Sequence, residues 1–288
     1  MAVLDIDRLR AYQLPEYRES YDRRSTILYA LGVGAGLSED VDELDFLYER
    51  DLKALPTMAL VLGTPGFWAM DPKAGLDWPK ILHGEETLAL HRPIEPEGEL
   101  VGNSWIEDIA DKGPGKPVMI RSRRTLSTLS GLLVAEMTEL WVLRGAGGFG
   151  GPRDLPGDPL PTVPDRPADC LIELPTARNQ ALLYRLSGDR NPLHADPELA
   201  KSVGFDGPIL HGLSTMGVIG RALTHKCADG DPHQLRSMRQ RFTAPVVPGD
   251  VIATEIWDEG DGSARFRASV PARGVVVADS GVATFASY

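Results

Sequence analysis

The chain has 288 residues, 42% hydrophobic and 25% charged, a balance that suits a globular protein of about two domains and excludes a disulfide-stapled miniprotein or wholesale disorder. Thirty basic against 41 acidic side chains leave a net charge of −11, which repels phosphate backbones and anionic lipid, so neither nucleic acid nor a membrane is an expected partner. Two cysteines, Cys170 and Cys227, form no framework; with no signal core, no ~20-residue apolar run and an Ala286-Ser287-Tyr288 end unlike the peroxisomal Ser-Lys-Leu type, the expected setting is a cytoplasm-like compartment.

Along the first half, Thr26 to Gly36 reads as a helix ending in Gly32-x-Gly34-x-Gly36. That spacing lacks the final glycine of a dinucleotide loop and follows a helical pattern instead of a strand, so it is a helix end. Thr57 to Met70 reads as a helix interrupted by Gly63-Thr64-Pro65-Gly66, where proline removes a hydrogen bond and clashes with the preceding turn. Strands follow at Thr87–Leu90, Leu100–Asp111, Pro117–Leu126 and Leu132–Leu143. Arg121, Arg123 and Arg124 read as a solvated strand face. Between Gly145 and Pro167, 12 of 23 residues are Gly or Pro, which sustains neither helix nor central strand and marks a linker. The expected domains are 1–148 and 168–288, joined by 149–167.

In the second half, Leu210 to Cys227 is apolar around most of its circumference, as in a buried helix. Short β-rich runs follow at Gln240–Thr243, Val251–Trp257, Ala264–Val270 and Val275–Ala286. One buried helix wrapped by an antiparallel sheet is an α+β plan. The halves repeat: Leu28-Tyr29-Ala30-Leu31-Gly32 reads against Leu183-Tyr184-Arg185-Leu186-Ser187 at an offset of 155, and Pro93–Gly98 against Pro245–Gly249 at 152.

Reactive groups are densest in Tyr184–Asp196, YRLSGDRNPLHAD, where Asp189, Asn191, His194 and Asp196 fall within eight residues. Asn191-Pro192 disfavours helix, so the segment turns and Asp189 and His194 face one point. Pro208–Ser214, PILHGLS, then enters the buried helix, whose first turn leaves N–H groups unpaired, and Gly212 lets a ligand approach them. An acid/base pair beside such a donor suits addition of water to a polarised double bond.

The run YRLSGDRNPLHADPELAKSVGFDGPILHGLSTMG, with Thr26–Gly36 and Ile81-Leu82-His83-Gly84-Glu85-Glu86, resembles the (R)-specific 2-enoyl-CoA hydratases, the hydratase 2 or MaoC-like family, in their two-domain double hot-dog form. The resemblance implies Asp189 and His194 as the catalytic pair, Asn191 as their support and Gly212 as oxyanion donor. It implies His83, Gly84, Lys112, Arg190, Pro192, Leu193 and Phe242 as substrate-binding residues, with no metal and no cofactor. The offset of 155 places Gly34 and Glu39 at the positions of Asp189 and His194, so one active site per chain is expected. The expected partner is an acyl-CoA, and a homodimer is left open. Alternatives are a (3R)-hydroxyacyl-acyl carrier protein dehydratase, a non-catalytic acyl-thioester-binding protein, a serine hydrolase on Ser214 and a metal hydrolase on His194, Asp196 and His211. His225, Lys226 and Cys227 suit the negative helix end and carry no chemistry. The interrupted first helix is expected to free volume beside Phe67, Trp68 and Met70 for a medium or long acyl tail.

Overall fold

A computed structural model describes residues 4–39, 41–157 and 159–286; Asp158 of the expected linker and the final Ser287 and Tyr288 lie outside that set. The first half runs α1 (Ile6–Ala11), β1 (Tyr17–Tyr21), α2 (Arg23–Gly32), β2 (Ile81–Leu90), β3 (Gly98–Asp111), β4 (Val118–Thr128) and β5 (Leu133–Leu143). The second runs β6 (Cys170–Pro175), α3 (Gln180–Tyr184), α4 (Pro197–Ser202), α5 (Gly212–Cys227), β7 (Leu235–Phe242), β8 (Val251–Asp258), β9 (Ser263–Val270) and β10 (Val275–Phe285). The expected strands are present, with β2 and β7 each starting several residues earlier than their sequence patterns suggest, because polar positions interrupt both.

All ten strands form one antiparallel sheet in the order β1-β3-β4-β5-β2-β7-β10-β9-β8-β6. The order is a palindrome about the β2–β7 seam, where Thr87 pairs with Arg239, the residue 152 positions later. Away from the sheet, Tyr29 at the middle of α2 and Tyr184 at the end of α3, 155 positions apart, meet with ring centroids 6.0 Å apart. The two offsets seen in the sequence are thus the signature of a duplicated α+β unit that pairs with itself.

The two halves differ in their centres. In α5 every residue from Ser214 to Thr224 is buried, as its all-round apolar pattern requires. The counterpart in the first half is no α-helix: Pro56–Leu60 makes a single 3₁₀ turn, and Trp68–Met70 another. The break predicted at Gly63-Thr64-Pro65-Gly66 therefore removes the whole helix, and the backbone there lies directly on the sheet. A Cβ on Gly102 of β3 would fall 1.7 Å from the Gly63 carbonyl oxygen, a contact that only glycine permits.

Buried hydrogen bonds add to the seam and the Tyr29–Tyr184 contact in binding the halves. Arg221, buried in α5, donates to both Glu43 carboxylate oxygens at 2.6 and 2.5 Å and to the Val33 carbonyl at 2.8 Å. Ser214 Oγ donates to the Gly32 carbonyl at 3.1 Å. Among the described residues no helix is long and apolar enough to cross a membrane.

Candidate active site

The turn between α3 and α4 is built by local chemistry. Gly188 takes φ +131°, a region side chains rarely adopt, and aims Asp189 back at the protein. Asn191 Oδ1 accepts from the Leu193 N–H at 3.0 Å, starting the Pro192–His194 3₁₀ turn, and Asp189 Oδ1 accepts from the Asn191 N–H at 3.0 Å. His194 Nδ1–H donates to the Ile209 carbonyl at 2.8 Å, which leaves the Nε2 lone pair as the free acceptor of the neutral ring.

His211, at the N-cap of α5, completes the cluster. Its ring stacks on His194 with centroids 3.7 Å apart, and its Nε2–H donates to the Asp189 carbonyl at 3.1 Å. A carboxylate oxygen of Asp189 and ring nitrogens of His194 and His211 all lie within 4.8 Å of one another. Burial pushes His194 below the ordinary imidazole range, against the opposing pull of Asp189 and the Ile209 carbonyl. Burial, with His194 alongside, pushes His211 well below it. Both rings are thereby held neutral near pH 7.

A cavity of about 430 Å³ opens beside this cluster and is lined by Asp189, Asn191, Leu193, His194, Gly212 and Phe242 from the second half and by His83 and Gly84 from the first. Gly212 begins α5, so its N–H has no partner within the helix. A Cβ there would lie 3.4 Å from the Phe242 ring, narrowing the gap between helix start and ring. His83 meets the same ring edge-on, centroids 4.7 Å apart. Eight of the expected site residues are thus brought together across the seam.

Three are not. Lys112 is paired with Asp154 at 2.7 Å and does not line the cavity. Exposed Arg190 lines a separate hollow with Tyr17 and Glu19. Pro192 only opens the 3₁₀ turn. The metal-hydrolase alternative also changes, since the Asp196 carboxylate caps α4 by accepting from Glu198 N–H at 2.9 Å and Leu199 N–H at 3.2 Å. The serine alternative loses its nucleophile, because Ser214 is fully buried and its hydroxyl is committed to the Gly32 carbonyl. The mirror-related site is filled: a Cβ on Gly34 would meet Arg221 Nη1 at 3.2 Å, and Glu39 is exposed.

The sequence reading missed a second polar cluster. His83 Nε2 bonds Glu86 at 2.9 Å, and its Nδ1 lies 3.9 Å from Glu139. Arg124, expected on a solvated face, points the other way from Arg121 and Arg123 and donates to the Leu60 and Leu62 carbonyls at 2.7 and 2.9 Å. Burial pushes Glu139 up to about 7, with His83 pulling against it and Glu86 adding to it. Burial pulls His83 down, but Glu86 and Glu139 outweigh it and hold the ring above its ordinary range. The clue in the sequence is adjacency: Arg123 and Arg124 are consecutive, so they cannot share a strand face.

Comparison with known proteins identifies the family and the fold. Residues 20–145 match the model of the MFE-2 hydratase 2 N-terminal domain, and residues 159–279 that of the MaoC like domain. The chain is 42% identical to 3-hydroxyacyl-thioester dehydratase Y of Mycobacterium tuberculosis, covering 91% of this chain and 92% of that one. It is 36% identical to peroxisomal enoyl-CoA hydratase 2 of Arabidopsis thaliana, covering 88% and 87%. A solved MaoC-like dehydratase from Phytophthora capsici superimposes with a TM-score of 0.85 at 34% identity, over 99% of this chain and 98% of that one. The chain belongs to the MaoC-like hydratase 2 family of hydro-lyases, in its double hot-dog form.

Proposed function

We propose that the protein hydrates trans-2-enoyl-CoA to (3R)-3-hydroxyacyl-CoA, and catalyses the reverse dehydration, in β-oxidation of fatty acyl or sterol side chains. The convergence of the Asp189 carboxylate and the His194 ring beside the start of α5 carries this reading. The thioester oxygen accepts from the Gly212 N–H, which draws electron density from the β-carbon and stabilises the enolate as it forms. A water held between Asp189 and His194 attacks that carbon. Its proton passes to Nε2, the acceptor left free by the bond to Ile209. The imidazolium, steadied by Asp189, returns a proton to the α-carbon on the same face. Asn191 holds the turn, His211 fixes the orientation of both members, and His83, Gly84, Leu193 and Phe242 enclose the substrate. Arg144, exposed at the cavity rim, supplies a cation for the phosphates of coenzyme A. Residues 1–148 act as the binding unit, 149–167 as the linker and 168–288 as the catalytic unit.

The test is kinetic. Asp189→Asn and His194→Ala each lower kcat on crotonyl-CoA by roughly 10²- to 10⁴-fold, the usual contribution of general acid–base groups, while circular dichroism stays unchanged. Either variant working at the parent rate would remove the pair from the chemistry.

A further inference from the structure

Beyond Asp189 the cavity continues into a recess whose lining an alkyl chain does not explain. Ser122 of β4 lies opposite Glu139 of β5, Glu139 opposite Glu86 of β2, and Glu86 opposite Gln240 of β7. Directly opposed residues share a face, so a row of polar side chains crosses four strands and the seam. Its neighbours on that face are the buried apolar Met137, Leu88 and Met238 and, on β4, Arg124. Two carboxylates opposite each other repel. Ser122 is only 6% exposed, and its hydroxyl has no hydrogen-bond partner among the described residues. His83, bonded to Glu86 and 3.9 Å from Glu139, offsets part of that repulsion. The groups of the row left without partners among the described residues are therefore the Ser122 hydroxyl and the Gln240 amide, and a buried polar group left unpaired is costly.

Ser122, Glu86, Glu139 and Arg124 line a recess of about 90 Å³ that shares Phe67, Trp141, Leu213, Asp189 and Glu139 with the catalytic cavity. About 10–15 Å³ suffices for one water-sized group, so the recess holds several heavy atoms. It occupies the space left by the missing helix, bounded by Leu60, Val61 and Thr64–Trp68, and borders Asp189. Phe67 and Trp68 line it as the sequence suggests, but Met70 is exposed and the floor is polar.

We propose that this recess selects enoyl thioesters whose acyl chain carries a hydroxyl group a few carbons beyond the double bond, in preference to plain alkyl chains. The inference rests on the hydratase reading and narrows its substrate class. An anionic tail is repelled by Glu86 and Glu139, and a cationic one meets Arg124 and His83 already in place. A hydroxyl group fits both sides of the lining: it donates to a carboxylate and accepts from Ser122. The shift of Glu139 toward neutrality adds a second donor of its own.

The experiment compares trans-2-hexenoyl-CoA with 6-hydroxy-trans-2-hexenoyl-CoA, with crotonyl-CoA as a control too short to reach the recess. A hydrogen bond to a charged group is worth roughly tenfold to a hundredfold in binding, so kcat/KM is expected to be at least about tenfold higher for the hydroxylated chain. Glu139→Leu and Ser122→Ala should each bring that ratio toward one, and Glu139→Gln should restore part of it. Equal or better turnover of the plain chain by the parent enzyme overturns the proposal while leaving the hydratase reading intact, and needs no variant to fold. A preference that both variants retain removes the polar row as its cause. Failure to hydrate crotonyl-CoA overturns the hydratase reading itself.

Discussion

His194 shows how a side chain's usual chemistry is adjusted by its surroundings. Burial lowers its proton affinity below the ordinary imidazole value of about 6.5, and the committed Nδ1–H fixes the tautomer. Protonation removes the acceptor lone pair, so activity is lost as pH falls through this lowered value and not before. The acid limb of kcat/KM should therefore lie below pH 6.5; a limb at or above that value contradicts a buried neutral His194. Asp189, Asn191 and His194 were legible because a glycine, a proline and three polar groups crowd one turn. His211 was legible only as a metal ligand, since stacking of two rings 17 residues apart leaves no periodic trace. Lys112 lies apart from the cavity for the opposite reason: its Gly-rich surroundings carry a motif but no direction, and its ammonium pairs with Asp154.

At the scale of elements, the decisive feature is a helix that did not form. Proline 65 and the flanking glycines foretold a break; that the break abolishes the helix depends on Gly102, 37 residues beyond Pro65, where the loop backbone rests on β3. A glycine inside a strand is the local sign of such close approach. Gly102→Ala must push two backbones apart, and we expect a loss of at least about 1–3 kcal/mol, the cost of overpacking, measured by chemical denaturation with a fall in midpoint. An unchanged midpoint would mean that the loop lifts freely from the sheet. Strand positions were readable from turn residues and alternation, but the early starts of β2 and β7 were hidden. In β2 the polar Glu86 is buried on the inner face, where alternation rules expect an apolar residue. In β7 the buried Leu235 and Met238 stand three apart among Arg236, Ser237 and Arg239, which breaks the alternation.

For the whole molecule, the repeats at 155 and 152 made the doubling readable, while the meeting of the halves at β2 and β7 follows from pairing that no local pattern encodes. That seam, the α2–α3 contact and the Arg221–Glu43 pair outlast a cut in the connecting segment, where residues 149–167 carry no helix or strand among those described. Separate expression of 1–156 and 159–288 should then give fragments that are inactive alone and recover most of the activity when mixed, read by crotonyl-CoA turnover and by co-elution. Fragments that never reassemble would show that the covalent tether is needed for docking. The palindromic sheet has one more consequence. Were the same architecture assembled from two identical chains, every change to one central helix would be imposed on the other, and removing it for space would remove the helix start beside Asp189 and His194 as well. Joining the copies in one polypeptide breaks that symmetry: one copy keeps its central helix beside Asp189 and His194, and the other is free to give up its own and leave open space in its place.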